Sequence, residues 1–575
     1  MADNTLNLPP EYALSFEKGE GAHPKDFDWT AQNIPCRTAC PARTDIPGYL
    51  DAIRNGHPEE AYRINLRDNV FPAVLGRTCT RPCEPACRHG WDGLGDPVAI
   101  CFAKRSADDF QQHKSPVILD PLFPSSGKTV AVVGAGAAGL TVARELQLWG
   151  HQVTVFEKYS EPGGLMLQGI PEFRLPREVV RREIAQITAL GVTIRCNEDV
   201  DRERLCQMQS EFDAVVLAAG THEPNLPNCP GTELQGVAHG LTFLKSVNAG
   251  NRPDVGKSVV VIGGGFTAVD CARMARRLGA ETVEMVYRRS EQEMYIGMHE
   301  LHQFATEGVD TRFLCQPVAI LGDPEGRVRA VRFEKTRLVE TDDGRARPEA
   351  VPGSAFEIPC DTLLLGTGQR ASNAWQDLPD LFVAGDATTG PGSLIDAIGH
   401  GKGVARAVDR TLMGADRFET VVVAQPAATT GRTRDMDALP RLEMPEISPE
   451  ARGVTDEVET GLTETDAATE ASRCYLCHFK FEIDNDLCIY CDRCLKVKPV
   501  DNCIVKVSDL IYDDQDRISG FIPSTNTRNY NRLHLDQNNC IRCGACVEVC
   551  PVECITLQKV TEVTRPKKEF SPGKQ

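Results

Sequence analysis

The sequence contains no long hydrophobic run. Its longest stretch without a charged residue, 129–143, has 15 residues and includes three glycines, whereas a membrane-spanning helix needs about 20 mostly apolar residues. The first 20 residues contain neither a basic segment nor an apolar one, so we expect no signal peptide. These absences predict a soluble, cytoplasmic protein that has no membrane partner.

The sequence also has no excess of positive charge. The chain has 63 Lys and Arg residues against 81 Asp and Glu residues, a formal net charge of −18, which disfavours binding to nucleic acid. The sequence contains no Ser–His–Asp, HExxH or paired-carboxylate pattern. Four histidines have no recognisable ligand spacing: His222, His299, His302 and His400. We therefore predict no catalytic side chain, and the chemistry must come from bound cofactors.

Cysteine, in contrast, is abundant. Of 23 cysteines, six lie within residues 1–101 and eleven within 471–575. In a reducing cytosol, thiols clustered at short fixed spacings indicate metal ligands and not disulfides. The remaining six have no mutual spacing and are predicted to be small buried hydrophobic residues: Cys196, Cys206, Cys229, Cys271, Cys315 and Cys360.

The C-terminal cysteines follow a ferredoxin pattern. Three cysteines at intervals of three residues, then a fourth followed by proline, are typical of a bacterial protein with two [4Fe–4S] clusters, and the fourth binds the other cluster. An upstream copy of this pattern has Lys498 at its fourth position. One cluster is therefore predicted on Cys488, Cys491, Cys494 and Cys550, and a second on Cys540, Cys543 and Cys546. Cys503 is either the missing fourth ligand or a buried structural thiol, and Cys554 is predicted to be structural.

The N-terminal cysteines form two further groups. These are Cys36-x3-Cys40-Pro41 and Cys79-x3-Cys83-x3-Cys87. A zinc site usually has two short pairs of ligands that total four. Five thiols in two groups, with a proline directly after Cys40, favour iron–sulfur clusters. Zinc remains the alternative.

A dinucleotide-binding motif begins at residue 129. An apolar strand leads into Gly134-x-Gly136-x-x-Gly139 and a helix, and the next strand ends at Glu157, 18 residues after Gly139. Such glycines let the backbone approach a pyrophosphate, and the acid binds a ribose. A later strand–glycine–acid sequence at Gly385-Asp386 is typical of FAD proteins. The residues predicted to bind a cofactor in this part of the chain and at the later turn are Gly134, Gly136, Ala138, Gly139, Glu157, Gly164, Leu165, Arg174, Gly220, Gly385 and Asp386.

A second copy of this motif begins at residue 258. It has Ala268 at the third glycine position, and its next strand ends in Arg288-Arg289. Paired guanidinium groups at the ribose edge favour a 2′-phosphate, hence NADPH over NADH. The alternative is two solvated surface arginines. The residues predicted to bind this nucleotide are Gly263, Gly265, Phe266, Thr267, Ala268, Arg288, Arg289 and Gly366.

Several stretches together resemble a known family. From about residue 30 to 415, GRTCTRPCEPAC, VAVVGAGAAGLTVA, EPGGLMLQGIPEFRLP, VVVIGGGFTAVDCAR, VYRR and VAGDATTGP resemble the small subunit of bacterial glutamate synthase and the N-terminal half of dihydropyrimidine dehydrogenase. The last 100 residues resemble a two-cluster bacterial ferredoxin.

The resemblance implies an α/β fold with two nested Rossmann-like domains, an N-terminal helical iron–sulfur domain and a C-terminal α+β ferredoxin-like domain. We predict a helical iron–sulfur domain at 1–120, FAD-binding parts at 121–250 and 366–420, an NAD(P)H-binding domain at 251–365, a linker at 421–470 and a 2[4Fe–4S] domain at 471–575. Near the end of the linker, Thr463-x-x-Asp466 resembles a capping box that opens a helix.

The departures from the family pattern concern the cysteines. The family has a Cys-x2-Cys pair before the position of Cys36, and this chain has none there. Far downstream, Cys474-x2-Cys477 resembles the missing pair. We therefore hypothesise that Cys474 and Cys477 fold back to join Cys36 and Cys87 around one cluster. The alternatives are a further site in the ferredoxin-like domain or structural thiols.

The other N-terminal cluster would use Cys40, Cys79 and Cys83. Relatives supply its fourth ligand from Gln or Glu, whereas the aligned residue here is Lys104, which is protonated and does not coordinate iron. Cys101, three residues earlier, is a candidate replacement, and this fourth ligand stays open.

Function follows from these carriers in series. NADPH donates two electrons, clusters pass one at a time, and a flavin does both. We predict a flavin iron–sulfur oxidoreductase that moves electrons between NADP(H), FAD and three to four [4Fe–4S] clusters, and exchanges them with ferredoxin or a partner subunit such as a 2-oxoacid:ferredoxin oxidoreductase in a hetero-oligomer. The alternatives are a glutamate synthase small subunit and an iron–sulfur assembly scaffold with an idle NADPH site.

Overall fold

A computed structural model describes most of the chain. The described residues are 24–91, 93–112, 114, 117–294, 296–340, 346–375, 378–512, 518–524 and 532–570. The prediction that no signal peptide is present concerns residues outside these ranges. Within them, none of the helices combines the length and apolar character that crossing a bilayer requires.

The N-terminal region is a compact group of short helices. Five of them have proline in the first turn, where its missing N–H costs nothing. Asp45 caps the third, because its Oδ1 accepts a hydrogen bond from Gly48 N at 3.1 Å. Buried aromatic residues such as Tyr49 and Phe71 fill the core. The helices are α1 (Pro24–Asn33), α2 (Pro35–Ala39), α3 (Ile46–Arg54), α4 (Pro58–Asn69), α5 (Pro72–Thr78) and α6 (Ile100–Asp109).

The middle of the chain alternates strands and helices. Its first part contains β1 (Thr129–Val133), α7 (Ala137–Leu148), β2 (Gln152–Glu157), α8 (Leu165–Gln168), α9 (Arg177–Ala189), β3 (Thr193–Cys196), α10 (Arg202–Glu211), β4 (Ala214–Leu217) and β5 (Glu223–Pro224). Its second part contains β6 (Val237–His239), α11 (Gly240–Asn248), β7 (Ser258–Ile262), α12 (Phe266–Arg277), β8 (Thr282–Tyr287), α13 (Met298–Thr306), β9 (Asp310–Phe313), β10 (Cys315–Gly322), β11 (Val328–Val339), β12 (Arg347–Ala350), β13 (Phe356–Pro359), β14 (Thr362–Leu365) and β15 (Gln369–Arg370). Then follow β16 (Phe382–Val383), α14 (Asp386–Thr389) and α15 (Leu394–Met413).

Two parallel sheets result, as the two motifs predict. The first has the strand order β16–β4–β1–β2–β3 and the second β6–β14–β7–β8–β9. Their central strands β1 and β7 are buried along nearly their whole length, as expected for parallel sheets covered on both faces. The predicted α/β class with two dinucleotide-binding folds is confirmed. An antiparallel sheet of β10–β13 is inserted between β9 and β14, and no sequence motif indicated it.

The two parallel-sheet units are joined by a narrow ribbon. Strands β5 and β15 pair antiparallel, with Gln369 opposite Pro224 and Arg370 opposite Glu223. Strand β5 comes after β4 of the first sheet, and β15 comes after β14 of the second sheet. Strand β6 already pairs with β14 of the second sheet. The chain therefore changes sheet before residue 237, earlier than the predicted boundary at 250.

The C-terminal region is mixed α/β. It contains β17 (Phe418–Pro426), α16 (Glu464–Ser472), β18 (Phe479–Ile483), α17 (Arg493–Val497), β19 (Ile504–Tyr512), β20 (Ile518–Pro523), β21 (Arg532–Leu535), α18 (Ala545–Glu548) and β22 (Ile555–Pro566). One sheet has the order β17–β22–β18 and the other β20–β19–β21. Thr463 caps α16 by accepting a hydrogen bond from Asp466 N at 3.1 Å, which confirms the predicted helix start.

The segment predicted as a linker, 421–470, is not a free connector, and that prediction is wrong. Its first residues belong to β17, whose apolar run 421–424 is buried and pairs along its length with β22. Farther on, Val458 N donates to Phe173 O at 3.0 Å, and Arg452 forms an ion pair with Glu307 at 2.8 Å. The Ala-, Thr- and Pro-rich composition gave no indication of these contacts, because they are made with residues far away in the sequence.

Candidate functional site

A large cavity lies where the two parallel-sheet units meet. Its volume is about 430 Å³, and residues of both glycine motifs line it. The predicted FAD or nucleotide residues in its wall are Gly134, Gly136, Ala138, Glu157, Gly164, Leu165, Arg174, Gly220, Phe266, Thr267 and Asp386. Those outside the wall are Gly139, Gly385, Gly263, Gly265, Ala268, Gly366, Arg288 and Arg289.

The first glycine motif leaves space for a phosphate group at the start of α7. Gly134 has φ +105°, and a Cβ there would lie 2.5 Å from the Ala218 carbonyl oxygen. A Cβ on Gly136 would meet no atom within 4 Å. Because the helix N-terminus presents unpaired N–H groups and a positive dipole end, this open space suits the pyrophosphate of a dinucleotide.

Glu157 is fixed by backbone hydrogen bonds at the edge of the cavity. Its Oε2 accepts from Ala135 N at 2.8 Å and its Oε1 from Tyr159 N at 3.0 Å. Each carboxylate oxygen has a second lone pair. The side chain is therefore oriented before any ligand binds, and it fits the ribose role that the sequence predicts.

The turn at Gly385-Asp386 is held by a histidine that the sequence analysis did not assign. Gly385 N donates to His400 Nδ1 at 2.9 Å, so the ring carries its proton on Nε2 when neutral. Gly385 has φ +67°, and a Cβ there would lie 2.6 Å from the Ala138 Cβ. Burial raises the pKa of Asp386, which lines the cavity, to about 6. His400 is 15 residues from Gly385 in the sequence, so no local motif connects the two.

Arg174 joins the two units at the cavity wall. Its Nη1 donates to Asp270 Oδ1 at 2.8 Å, and its guanidinium carbon lies 5.2 Å from the centre of the Phe266 ring. Arg174 belongs to the first unit and Asp270 to α12 of the second. The predicted cofactor residue thus also forms an ion pair across the cavity.

The two arginines after β8 have different environments. Arg288 is exposed, whereas Arg289 is buried and donates from Nε to the Ala346 carbonyl oxygen at 3.2 Å. Only Arg288 presents its side chain to solvent at the edge where a nucleotide ribose would lie.

The cysteines form four groups, which we call cages A to D. Cage A consists of Cys40, Cys79, Cys83 and Cys101. Cage B consists of Cys36, Cys87, Cys474 and Cys477. Cage C consists of Cys503, Cys540, Cys543 and Cys546. Cage D consists of Cys488, Cys491, Cys494 and Cys550.

Cage A includes Cys101 and lies beside the large cavity described above, which we call the flavin cavity because the first glycine motif in its wall predicts FAD. The Cys79 and Cys101 thiols are close enough that each changes the pKa of the other, and Cys101 Sγ donates to the Leu75 carbonyl oxygen at 3.3 Å. Lys104 is 4% exposed and points toward the same thiols. Burial opposes its charge, but Cys79, Cys101 and Cys83 raise the pKa of the ammonium group above its ordinary value.

Cage B brings together cysteines separated by almost 400 residues. All four line one small cavity. Burial raises the pKa of Cys36 well above its ordinary value, and Cys477, Cys87 and Cys474 raise it further. Helix α16 ends just before the second pair and is anchored here, because buried Glu470 accepts from Ala99 N at 2.7 Å and from Leu442 N at 2.8 Å. The arrangement is the one that the missing and surplus cysteine pairs predict.

Cages C and D lie in the ferredoxin-like region. Cys503 lines the cavity of cage C, where burial and then the Cys540 thiol raise its pKa to about 11. Cys554, predicted to be structural, lines the cavity of cage D, with its Sγ 3.5 Å from that of Cys550.

Each cage contains the same strained turn. In each, a cysteine Sγ accepts a backbone hydrogen bond at 3.4 Å from the residue two positions later: Arg81 to Cys79, Leu476 to Cys474, Tyr490 to Cys488 and Arg542 to Cys540. The four donors have φ between +50° and +60°. For residues other than glycine this conformation costs about 1–2 kcal/mol each, so its repetition indicates function. Arg, Leu and Tyr do not favour this conformation, and the sequence therefore gives no local signal of it.

The cages suit clusters and not single ions. Among the described residues, no three His, Cys, Asp or Glu side chains converge closely enough to hold one metal ion. In cages B, C and D the thiols instead surround a cavity. Zinc needs sulfur ligands within about 2.3 Å of one point, whereas a cluster core occupies the space between its cysteines. This donor set fits [4Fe–4S] clusters, and amide N–H groups directed at sulfur favour thiolate ligands.

Two buried guanidinium groups lie between cages B and C. Arg88 and Arg542 both donate to Asn33 Oδ1, at 3.1 and 2.8 Å, and both donate to the Cys540 carbonyl oxygen. Each is at most 1% exposed. Buried cations whose hydrogen-bond acceptors are neutral stabilise negative charge nearby. Anionic clusters in cages B and C would supply that negative charge.

Three family models match this chain. Residues 128–401 match pyridine nucleotide-disulphide oxidoreductase, residues 29–115 match dihydropyrimidine dehydrogenase domain II with a 4Fe-4S cluster, and residues 533–556 match a 4Fe-4S binding domain. The fold and the site thus define a pyridine-nucleotide-dependent flavoprotein oxidoreductase that carries iron–sulfur clusters.

Characterised relatives identify the family more closely. NADP(+)-dependent formate dehydrogenase subunit beta of Moorella thermoacetica is 34% identical, over 77% of this chain and 70% of the relative. NADPH-Fe(3+) oxidoreductase subunit beta of Geobacter sulfurreducens is 34% identical over 81% and 78%. The glutamate synthase small chain of Escherichia coli is 32% identical over 68% and 91%. The chain belongs to this family of NADPH-dependent iron–sulfur flavoproteins; it binds FAD, NADP(H) and [4Fe–4S] clusters and transfers electrons between them.

Proposed function

We propose that this chain is the nucleotide-handling subunit of a larger oxidoreductase, and that each cage holds one [4Fe–4S] cluster. The partner is ferredoxin or a catalytic subunit with a low-potential centre, such as a 2-oxoacid:ferredoxin oxidoreductase, and the two chains form a hetero-oligomer. The observation that carries this proposal is the order of the cages between the flavin cavity and the surface.

The first steps of that order run through the N-terminal helices. Thr78 and Thr80 line the flavin cavity on either side of Cys79, which belongs to cage A. Helix α2 connects cage A with cage B, because Cys36 and Cys40 lie at its two ends. The Cys83 thiol of cage A is also close enough to raise the pKa of Cys36, after burial and the cage B thiols.

The later steps run into the ferredoxin-like region. Cys477 of cage B and Cys543 of cage C pack in one apolar cluster with Tyr475. Helices α17 and α18 pack together and carry Cys494 of cage D and Cys546 of cage C. This succession supports a single path with cage A nearest the flavin and cage D nearest the surface.

Cage D has an apolar rim that supports docking of a partner. Cys491 is exposed, and Leu487 and Ile489 beside it are each 59% exposed, with Val552 at 36%. Exposed apolar side chains grouped around a functional site are typical of protein interfaces. The partner's redox centre would therefore approach at this rim.

The double variant Leu487→Glu/Ile489→Glu tests this proposal. We expect the rate of NADPH-dependent reduction of a bacterial 2[4Fe–4S] ferredoxin to fall about tenfold or more. The reason is that two negative charges placed in an apolar contact should weaken ferredoxin binding by at least ~1.4 kcal/mol, which is a tenfold change in affinity. Reduction of methyl viologen, which needs no docking surface, should be unchanged. Stopped-flow absorbance under anaerobic conditions measures both.

Leu226→Glu serves as the matched control, because Leu226 is 55% exposed and lies after β5, in the dinucleotide-binding region. It should leave both rates unchanged. An equal loss with ferredoxin and viologen would mean that the cage itself is damaged, and no loss in either would place the docking surface elsewhere. Failure of NADPH to reduce any cluster in the unmodified chain would contradict the proposed path.

Nucleotide preference is proposed to depend on Arg288, which is exposed at the end of β8. A charge-assisted contact with a 2′-phosphate contributes about 1.5–3 kcal/mol. Arg288→Ala should therefore lower kcat/KM for NADPH by about 10- to 100-fold and leave the value for NADH nearly unchanged. Arg312→Ala, on the neighbouring strand β9, is the control and should change neither. Equal losses with both nucleotides would contradict the role.

A further inference from the structure

His89 is a buried residue whose ring nitrogens have no hydrogen-bond partner. It is 2% exposed, and neither Nδ1 nor Nε2 has a hydrogen-bond partner. The side chain lines the cavity of cage B together with that cage's four cysteines. A buried imidazole thus lies in the wall of the space that a cluster would occupy.

The ring of His89 is held in place from both sides. It lies in the tight turn Arg88–Gly90 directly after Cys87, where Gly90 N donates to the Cys87 carbonyl oxygen at 3.0 Å. The ring stacks on Tyr475 with centres 4.7 Å apart and an angle of 23° between the planes. Tyr475 lies between Cys474 and Cys477, so the two cysteine segments of cage B also fix the ring that lines it.

An unpartnered buried imidazole is costly. Leaving a buried donor unsatisfied destabilises the folded state, and native proteins avoid it. A histidine ring has at least one N–H in every protonation state. Apart from the Tyr475 hydroxyl, the side-chain acceptors in the lining of this cavity are the cage B cysteine sulfurs, and a bound cluster would add its sulfides.

We propose that His89 donates an N–H hydrogen bond to a sulfur of the cage B cluster and thereby raises the reduction potential of that cluster. Hydrogen bonds to sulfur stabilise the more negative, reduced state, and they are one of the means by which proteins set cluster potentials. His89 is a positioning residue and not an iron ligand, since cage B already offers four thiols. This inference rests on the proposed assignment of a cluster to cage B.

The decisive variant is His89→Phe, which keeps an aromatic ring against Tyr475 and removes both nitrogens. EPR-monitored redox titration of the full chain should show one cluster whose reduction equilibrium shifts about tenfold toward the oxidised state, equivalent to ~59 mV for one electron. The other clusters should be unchanged. His89→Gln restores an N–H donor and should recover part of the shift.

His478→Phe is a matched control. His478 is also 2% exposed, also has two unpartnered ring nitrogens, and also adjoins a cage B cysteine in the sequence. It packs at a tilt against Phe479 and does not line the cage B cavity. Its replacement should leave every cluster potential unchanged.

Three outcomes would overturn the proposal. An unshifted potential in His89→Phe would show that no functional hydrogen bond exists, and an equal shift in His478→Phe would show a general packing effect. Loss of one cluster's iron from His89→Phe, with flavin retained, would make His89 a ligand. If the unmodified chain lacks the cage B cluster, iron analysis shows this directly. That result would refute the assignment of a cluster to cage B, and with it the basis of the His89 proposal.

Discussion

Replacing both Cys474 and Cys477 with serine is expected to remove the iron of one [4Fe–4S] cluster per chain and to stop electron flow from NADPH to the ferredoxin-like region. These residues supply half of the ligands proposed for cage B, which lies between cage A and cage C. Serine does not replace cysteine as a cluster ligand of similar affinity. The flavin cavity contains neither residue, so NADPH should still bleach the flavin.

Iron analysis, EPR after NADPH reduction and viologen reduction together measure this effect. The iron content should fall by one cluster, and viologen reduction should fall to the background rate. The matched control is Cys206→Ser, which should change none of these values. Cys206 lies on α10 outside all four cages and is exposed, so the prediction that it is buried is wrong.

Unchanged iron in the double variant would refute the fold-back hypothesis. Loss of flavin as well as iron would mean that the variant is misfolded. In that case the single variant Cys477→Ser, with iron and flavin measured in the same sample, decides between a lost ligand and a lost fold.

The cysteine fold-back illustrates what the sequence could predict. A pair missing before Cys36 and a surplus pair at Cys474 and Cys477 suggested one shared site, and the structure brings Cys36, Cys87 and this pair to one cavity. The ligand roles themselves stay predictions. The two glycine motifs predicted two parallel sheets, and both are present. These inferences succeeded because motif spacing reflects local backbone geometry that a cofactor requires.

Other features depend on pairing between distant segments. Strand β17 pairs with β22, more than 130 residues later, and composition alone made its beginning resemble a linker. The hydrogen bond of His400 and the left-handed turns in the cages also depend on the tertiary structure and not on the local sequence. Local propensity and periodicity carry no information about such contacts.

One valine substitution in each glycine motif is expected to distinguish the FAD site from the NADPH site. Gly136 and Gly265 occupy equivalent positions, immediately before helices α7 and α12. Their backbones are ordinary for any residue, with φ −82° and −114°. A Cβ on either meets no atom within 4 Å. Valine at either position should therefore leave the fold intact and occupy the space of a dinucleotide's phosphates.

Gly136→Val should yield protein without flavin, with affinity for FAD lowered about a hundredfold or more, because branched methyl groups would overlap the pyrophosphate. Gly265→Val should retain flavin, but NADPH should no longer bleach it, while dithionite still does. Flavin absorbance, iron content and the thermal unfolding midpoint measure these effects. Each variant is the control for the other, since the backbone change is the same and only the site differs. Loss of flavin from both variants, or reduction by NADPH in both, would contradict the assignment of FAD to the first motif and NADPH to the second.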